Sequence, residues 1–148
     1  MYRDYVNSPI YWLRRAYLGV RKAVDAEFGP CGLTGAQFEV LHQLWRQDGL
    51  SQRELEERLA IRSATLTRLV DGLCARGLVV RRPNPTDGRM RDVFLTPRGQ
   101  ALREEAARAV ARVQERLLAG FTPDEAAQLE DVLRRMAENM GDHGEGCL

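Results

Sequence analysis

The chain has 148 residues, 44% hydrophobic and 29% charged, which suits one compact domain or a small reading module with helical extensions and excludes a disordered or fibrous chain. The net charge is only +1, yet residues 51–100 carry net +4 and residues 101–148 net −4, so the middle is the part suited to meet a polyanion. Three scattered cysteines (Cys31, Cys74 and Cys147) and two histidines (His42 and His143) lack metal-ligand spacing, so free thiols, no metal and no cofactor are expected.

In chain order, residues 5–28 place Val6, Ile10, Leu13, Tyr17, Val20, Val24 and Phe28 at three- and four-residue steps, the pattern of an amphipathic helix. Gly29-Pro30-Cys31-Gly32 breaks it. Thr34 can cap a second helix carrying Phe38, Leu41, Leu44 and Trp45, which Asp48-Gly49 ends. Ser51-Gln52-Arg53-Glu54 is a capping box opening a short helix that ends near Ala60. The next helix is expected from about Ser63 to Arg76, with Leu66, Leu69, Val70 and Leu73 inward and Gly77 as its stop. Leu78-Val79-Val80 and Asp92 to Leu95 read as two strands joined by a turn rich in proline, asparagine and glycine. Thr96-Pro97 starts a long helix to about Leu118, and Thr122-Pro123 starts a last one with Ala126, Leu129, Val132, Leu133 and Met136. His143 to Leu148 reads as a frayed tail.

The start is polar, with no signal peptide, and the longest uncharged stretch, Phe28 to Phe38, is too short to span a bilayer. A cytoplasmic location and no membrane partner are therefore expected. Only Lys22 is a lysine among 22 basic residues; a GC-rich genome produces that bias as readily as phosphate binding does.

The fold class implied is mainly α with a small β-hairpin wing. Two short helices joined by a tight turn and followed by a hairpin, Ser51 to Thr96, form a winged helix-turn-helix. The domains expected are a reading domain at 33–96 and a helical region made of 1–32 and 97–148. The second short helix is thin enough for the major groove. Its outward residues are Arg62, Ser63, Thr65 and Arg68, with Thr67 beside them. Hydroxyls can bond phosphates or base edges, and arginine can read guanine. The wing offers Arg82, Asp87, Arg89 and Arg91, and a narrow hairpin can send arginine into the minor groove. Asp87 is placed to orient the Arg89 side chain. Of Arg81 and Arg82, one is expected at the phosphate backbone and the other in a salt bridge within the fold.

Leu33-Thr34-x-x-Gln37-Phe38-x-Val40-Leu41, Leu55-x-x-x-Leu59, Thr65-Leu66-Thr67-Arg68-Leu69-Val70-Asp71-x-Leu73, Gly77-Leu78-Val79-x-Arg81, Asp87-Gly88-Arg89 and Leu95-Thr96-x-x-Gly99 follow in order. In that order they resemble the MarR family of bacterial regulators over roughly residues 10–138. The resemblance implies a homodimer whose helical region 1–32 and 97–148 is the dimerisation region, a pseudo-palindromic operator in double-stranded DNA, repression released by a small phenolic or other aromatic effector, and Asp87 and Arg89 as the wing pair. The family commonly has a small capping residue where this chain has Arg62, so the recognition helix starts either there or with Ser63 as the cap.

Other readings compete. An aromatic effector could sit among Trp12, Arg15 and His42, with Phe38 and Trp45 nearby; dimer core plus a surface arginine is the weightier reading. Cys31 reads as a small inert residue rather than a sensor, Cys74 as partly packed, and Cys147 as incidental in the tail. Zinc held by histidines after the wing is rejected, because no histidine occurs between residues 43 and 142. No enzyme is expected: a Ser-His-Asp order, Gly-rich phosphate loops and carboxylates paired in an apolar setting are missing. The alternative function is a winged-helix assembly module that does not bind DNA.

Overall fold

The computed structural model describes residues 5–142. The tail expected from His143 to Leu148, with Cys147, lies outside the described residues. Helix α1 (Pro9–Phe28) starts where Ser8 Oγ accepts the Tyr11 amide at 3.3 Å and Pro9 takes the first helical position. A turn at Asn7-Ser8 interrupts the helix expected from residue 5, because a proline inside a helix has no amide to donate and crowds the preceding turn. A 3-10 turn (Gly29–Cys31) and the left-handed Gly32 lead to α2 (Gly35–Arg46). There Thr34 and Gln37 exchange bonds in a capping box, at 3.1 and 3.2 Å.

A strand the sequence reading lacks, β1 (Leu50–Ser51), follows. Two residues carry no periodicity, so pairing alone reveals it: Leu50 lies opposite Val93 and Ser51 opposite Asp92. Helix α3 (Gln52–Leu59) has the expected capping box, Glu54 amide to Ser51 Oγ at 3.1 Å and Ser51 amide to Glu54 Oε2 at 2.8 Å. A left-handed Ala60 turns the chain into α4 (Ser63–Ala75). Strands β2 (Val79–Pro83) and β3 (Arg91–Leu95) pair antiparallel from Val79–Leu95 to Pro83–Arg91. The sheet order is β1-β3-β2. The long helix expected after Thr96 is broken at Leu102 into α5 (Pro97–Ala101) and α6 (Arg103–Leu117), and α7 (Pro123–Asn139) ends the described chain.

One apolar core holds Phe28, Leu41, Leu44, Leu55, Leu66, Val70, Leu73, Val79 and Val93, and Ala106 and Ala109 of α6 reach into it. Each of its large side chains stabilises the fold by roughly 1.5–3 kcal/mol relative to exposure. The sheet joins the later helices at a tight junction. Thr96 donates its amide to Leu78 O at 3.0 Å and its hydroxyl to Gly77 O at 2.6 Å. A β-carbon on Gly99 would stand 2.1 Å from Leu78 O, so only glycine fits. Trp45 Nε1 donates to Gly99 O at 3.0 Å and ties α2 to the same point.

The helical ends differ. Of the residues of α1 only Phe28 is buried, and none of α7 is. Ile10 is 67% exposed and Trp12 62%, and Leu13, Tyr17, Val132 and Leu133 are also exposed. No helix among the described residues is long and apolar enough to cross a membrane.

Candidate nucleic-acid interface

Helix α4 is anchored by Leu66, Val70 and Leu73, all fully buried, with Leu69 partly buried beside them. This fixes which side chains face out: Arg62, Ser63, Thr65, Thr67 and Arg68 are all exposed. The start of the helix is settled. Arg62 is its N-cap residue, in extended conformation, and no side chain caps the helix, so Ser63 does not take that role. The first amides of α4 are left without a side-chain acceptor, which suits a helix end that meets phosphate oxygens.

Asp71 lies on the exposed side of α4 and would repel a polyanion. Arg81 of β2 neutralises it with an ion pair at 2.7 Å. The same guanidinium donates to Gln52 Oε1 at 2.8 Å and to Thr67 O at 3.3 Å, so it joins α3, α4 and the sheet. Arg81 is thus the internal member of its pair with Arg82. Arg82 is exposed, with its guanidinium 5.0 Å from the Phe94 ring centroid.

The wing turn is organised by Asn84. Its Oδ1 accepts the Thr86 amide (2.9 Å), the Thr86 hydroxyl (2.7 Å) and the Asp87 amide (3.1 Å). Its Nδ2 donates to both oxygens of the buried Asp92 carboxylate, at 3.2 and 3.0 Å. Asp87 does not orient the Arg89 side chain as expected. Its Oδ1 accepts the Arg89 backbone amide at 3.0 Å, because a carboxylate most readily reaches the amide two residues on. Asp87 therefore shapes the turn that presents Arg89. Among the described residues, the guanidinium groups of Arg62, Arg68, Arg89 and Arg91 have no ion-pair partner. Between α3 and the wing lies an open cleft of about 390 Å³, lined in part by Gln52, Arg53, Asp87, Arg89 and Arg91.

Sequence reasoning placed Asn84 in the wing turn without its organising role, and gave Arg53 and Gln52 no role beyond the capping box. Asn84 had a legible signal, because Asn-Pro-Thr-Asp is an Asx-turn pattern. The other two had none, since their roles depend on β2 and the wing folding over α3.

The effector candidates are not gathered within one chain. Trp12 touches Tyr11 edge to face at 5.2 Å, whereas His42 lies 5.7 Å from Phe38. Phe38 stacks on Phe28 at the far end of α1, and Trp12 is four turns earlier, ~24 Å along the axis. Arg15 is exposed on the same early stretch. Trp45 faces Gly99.

Cys31 Sγ donates to Glu105 Oε1 at 2.9 Å. That bond, then burial and the negative charge of Glu105, holds the thiol above its ordinary pKa, against the nearby Arg112 and Arg76. A thiol kept protonated is a poor nucleophile. Cys74 is half-buried beside Arg81, 3.9 Å from Nη1.

A hairpin wing beside two short helices, the second one bearing exposed arginines and hydroxyls, defines a winged helix-turn-helix protein. The family model described as the MarR family matches residues 32–90. An uncharacterised HTH-type transcriptional regulator of Bacillus subtilis is 34% identical over 123 residues, 82% of this chain and 75% of the relative. The multiple antibiotic resistance protein MarR of Escherichia coli is 35% identical over 116 residues, 78% of this chain and 81% of that one. An HTH-type transcriptional repressor of Mycobacterium tuberculosis is 31% identical over 136 residues, 91% and 95%. Among solved structures, a cysteine-to-serine mutant of the E. coli MarR complexed with operator DNA superposes with a TM-score of 0.79 at 30% identity, covering 84% of this chain and 90% of that one. This chain belongs to the MarR family of DNA-binding transcriptional regulators.

Proposed function

We propose that the chain works as a homodimeric repressor that occludes a pseudo-palindromic operator. Two α4 helices enter successive major grooves, about one helical turn or ~10 bp apart, and two wings enter the flanking minor grooves. Arg68, Thr65 and Thr67 read base edges; Arg62 and Ser63 meet the backbone at the start of α4; Arg82, Arg89 and Arg91 carry the wing, whose turn Asp87 sets. The observation that carries this reading is that, among the described residues, the exposed Arg62, Arg68, Arg89 and Arg91 have no ion-pair partner, while Arg81 neutralises the exposed Asp71.

A second copy is the partner that suits the exposed apolar side chains of α1 and α7, in agreement with dimerisation through the segments 1–32 and 97–148. Release by a small aromatic ligand is the second half of the reading. Its support is the exposed Trp12 with Arg15 one turn on; because His42 lies far from them in one chain, a site containing all three draws on both copies. Such a ligand acts by favouring a dimer whose recognition helices are misplaced, which requires unequal affinity for the two states.

The test is a paired substitution on DNA selected from a random duplex pool. Arg68→Ala should lower the ratio of operator to random-DNA affinity, by the roughly 1–3 kcal/mol that a bidentate base contact supplies. Arg89→Ala should weaken operator binding with the dimer intact. An unchanged ratio for the first and an unshifted curve for the second would refute the assignment.

A further inference from the structure

We infer that the cleft between the start of α3 and the wing seats a backbone phosphodiester of bound duplex DNA, with Arg53 as its main ligand and Arg89 and Arg91 closing it from the wing. The inference rests on the DNA-binding reading and adds to it a contact on the first helix of the pair. The cleft is about 390 Å³ and open, so an extended polymer can pass its mouth while one group enters. Three arginines line it against one acidic residue, Asp87, one of whose oxygens already holds the Arg89 amide.

The excess positive charge is not consumed inside the protein. Among the described residues Arg89 and Arg91 have no ion-pair partner. Among the described residues Arg53 pairs only with Glu57, one helical turn on at 3.4 Å, with both side chains mostly exposed, and such pairs yield readily. Gln52, which also lines the cleft, accepts Arg81 Nε at its carbonyl oxygen. A phosphodiester presents two non-bridging oxygens and one negative charge, which matches the planar fork of an arginine. The start of α3 supplies no free N3 amide, because Ser51 Oγ already accepts Glu54 N; the side chains make the site. Contact through phosphate carries no base information, so Arg53 should strengthen binding to every duplex alike.

The experiment uses the full chain, with fluorescence anisotropy on a selected operator and a random duplex between about 50 and 200 mM salt. Arg53→Ala should weaken both duplexes by the same factor. It should also flatten the plot of log K against log salt by about 0.9 per chain, the value of one lost phosphate contact. Arg53→Lys should keep the slope. A neutral methylphosphonate scanned along the operator should weaken the wild type at one backbone position per half-site, and have no further effect there on Arg53→Ala. A wild-type slope for Arg53→Ala, a loss confined to the operator, or no coupled backbone position would overturn the inference. A wild-type chain that binds neither duplex would overturn the DNA-binding reading itself, a result distinct from the other three.

Discussion

From Leu33 to Thr96 most large apolar side chains turn inward, with Val80 an exception: Leu41, Leu55, Leu66, Leu73 and Val93 are all at or near zero exposure. In α1 and α7 the same kinds of residue, at the same helical spacing, lie open: Ile10, Leu13, Val132 and Leu133. The reading head closes its core within one chain, with help from Ala106 and Ala109 of α6. The outer helices have apolar faces that a single chain does not cover. Periodicity reports that a face is apolar, and only the fold reports whether that face is already spent.

The comparison can be broken from either side. The largest effect should come from the outer helices: Leu133→Glu should give monomers by sedimentation and weaken operator binding ~10²–10⁴-fold, the usual gain from linking two weak sites. Its far-UV spectrum should stay that of a folded chain, since Leu133 lies outside the core. Next comes the junction between head and helices. Gly99→Ala forces a β-carbon against Leu78 O and disturbs the Trp45 bond, and a loss of about 3 kcal/mol should appear in urea unfolding. Asn84→Ala should be milder, about 1–2 kcal/mol in the same assay, because it leaves the buried Asp92 carboxylate without its Asn84 donor.

The smallest effect concerns Cys31, in a background with Cys74 and Cys147 as serine. Because Glu105 and burial raise its pKa, alkylation at pH 8 should be slower than for a free cysteine, and Glu105→Ala should speed it. The sign for stability follows: the contribution is present below the ordinary thiol pKa and fades as pH rises through the raised one. Reaction at the rate of a free thiol in the parent would remove the role given to Glu105.

Much of this architecture was legible because its signals are local. The box Ser51–Glu54, the leucine spacing from Leu66 to Leu73, Gly77 and Thr96-Pro97 each act within a turn or two, and each element they predict is present. What escaped depends on contacts distant in sequence. Strand β1 exists through pairing with Val93 and Asp92, 41 or more residues on. The division of labour between Arg81 and Arg82 turns on which one reaches Asp71 and Gln52. The break at Leu102 has no proline or glycine at the position itself to announce it. For the interface, the outward residues of α4 could be named from the inward leucines, whereas the cleft beside Arg53 exists only once the wing lies across α3.

The most direct measurement is the affinity of the wild-type chain for duplex DNA as a function of salt, on random sequence and on a selected operator. Arginines on α4 and the wing that meet phosphates should give binding that falls steeply and linearly in log K against log salt on both duplexes, with the operator held more tightly throughout. No binding at low salt, or an affinity indifferent to salt, would contradict the assignment of that surface to DNA.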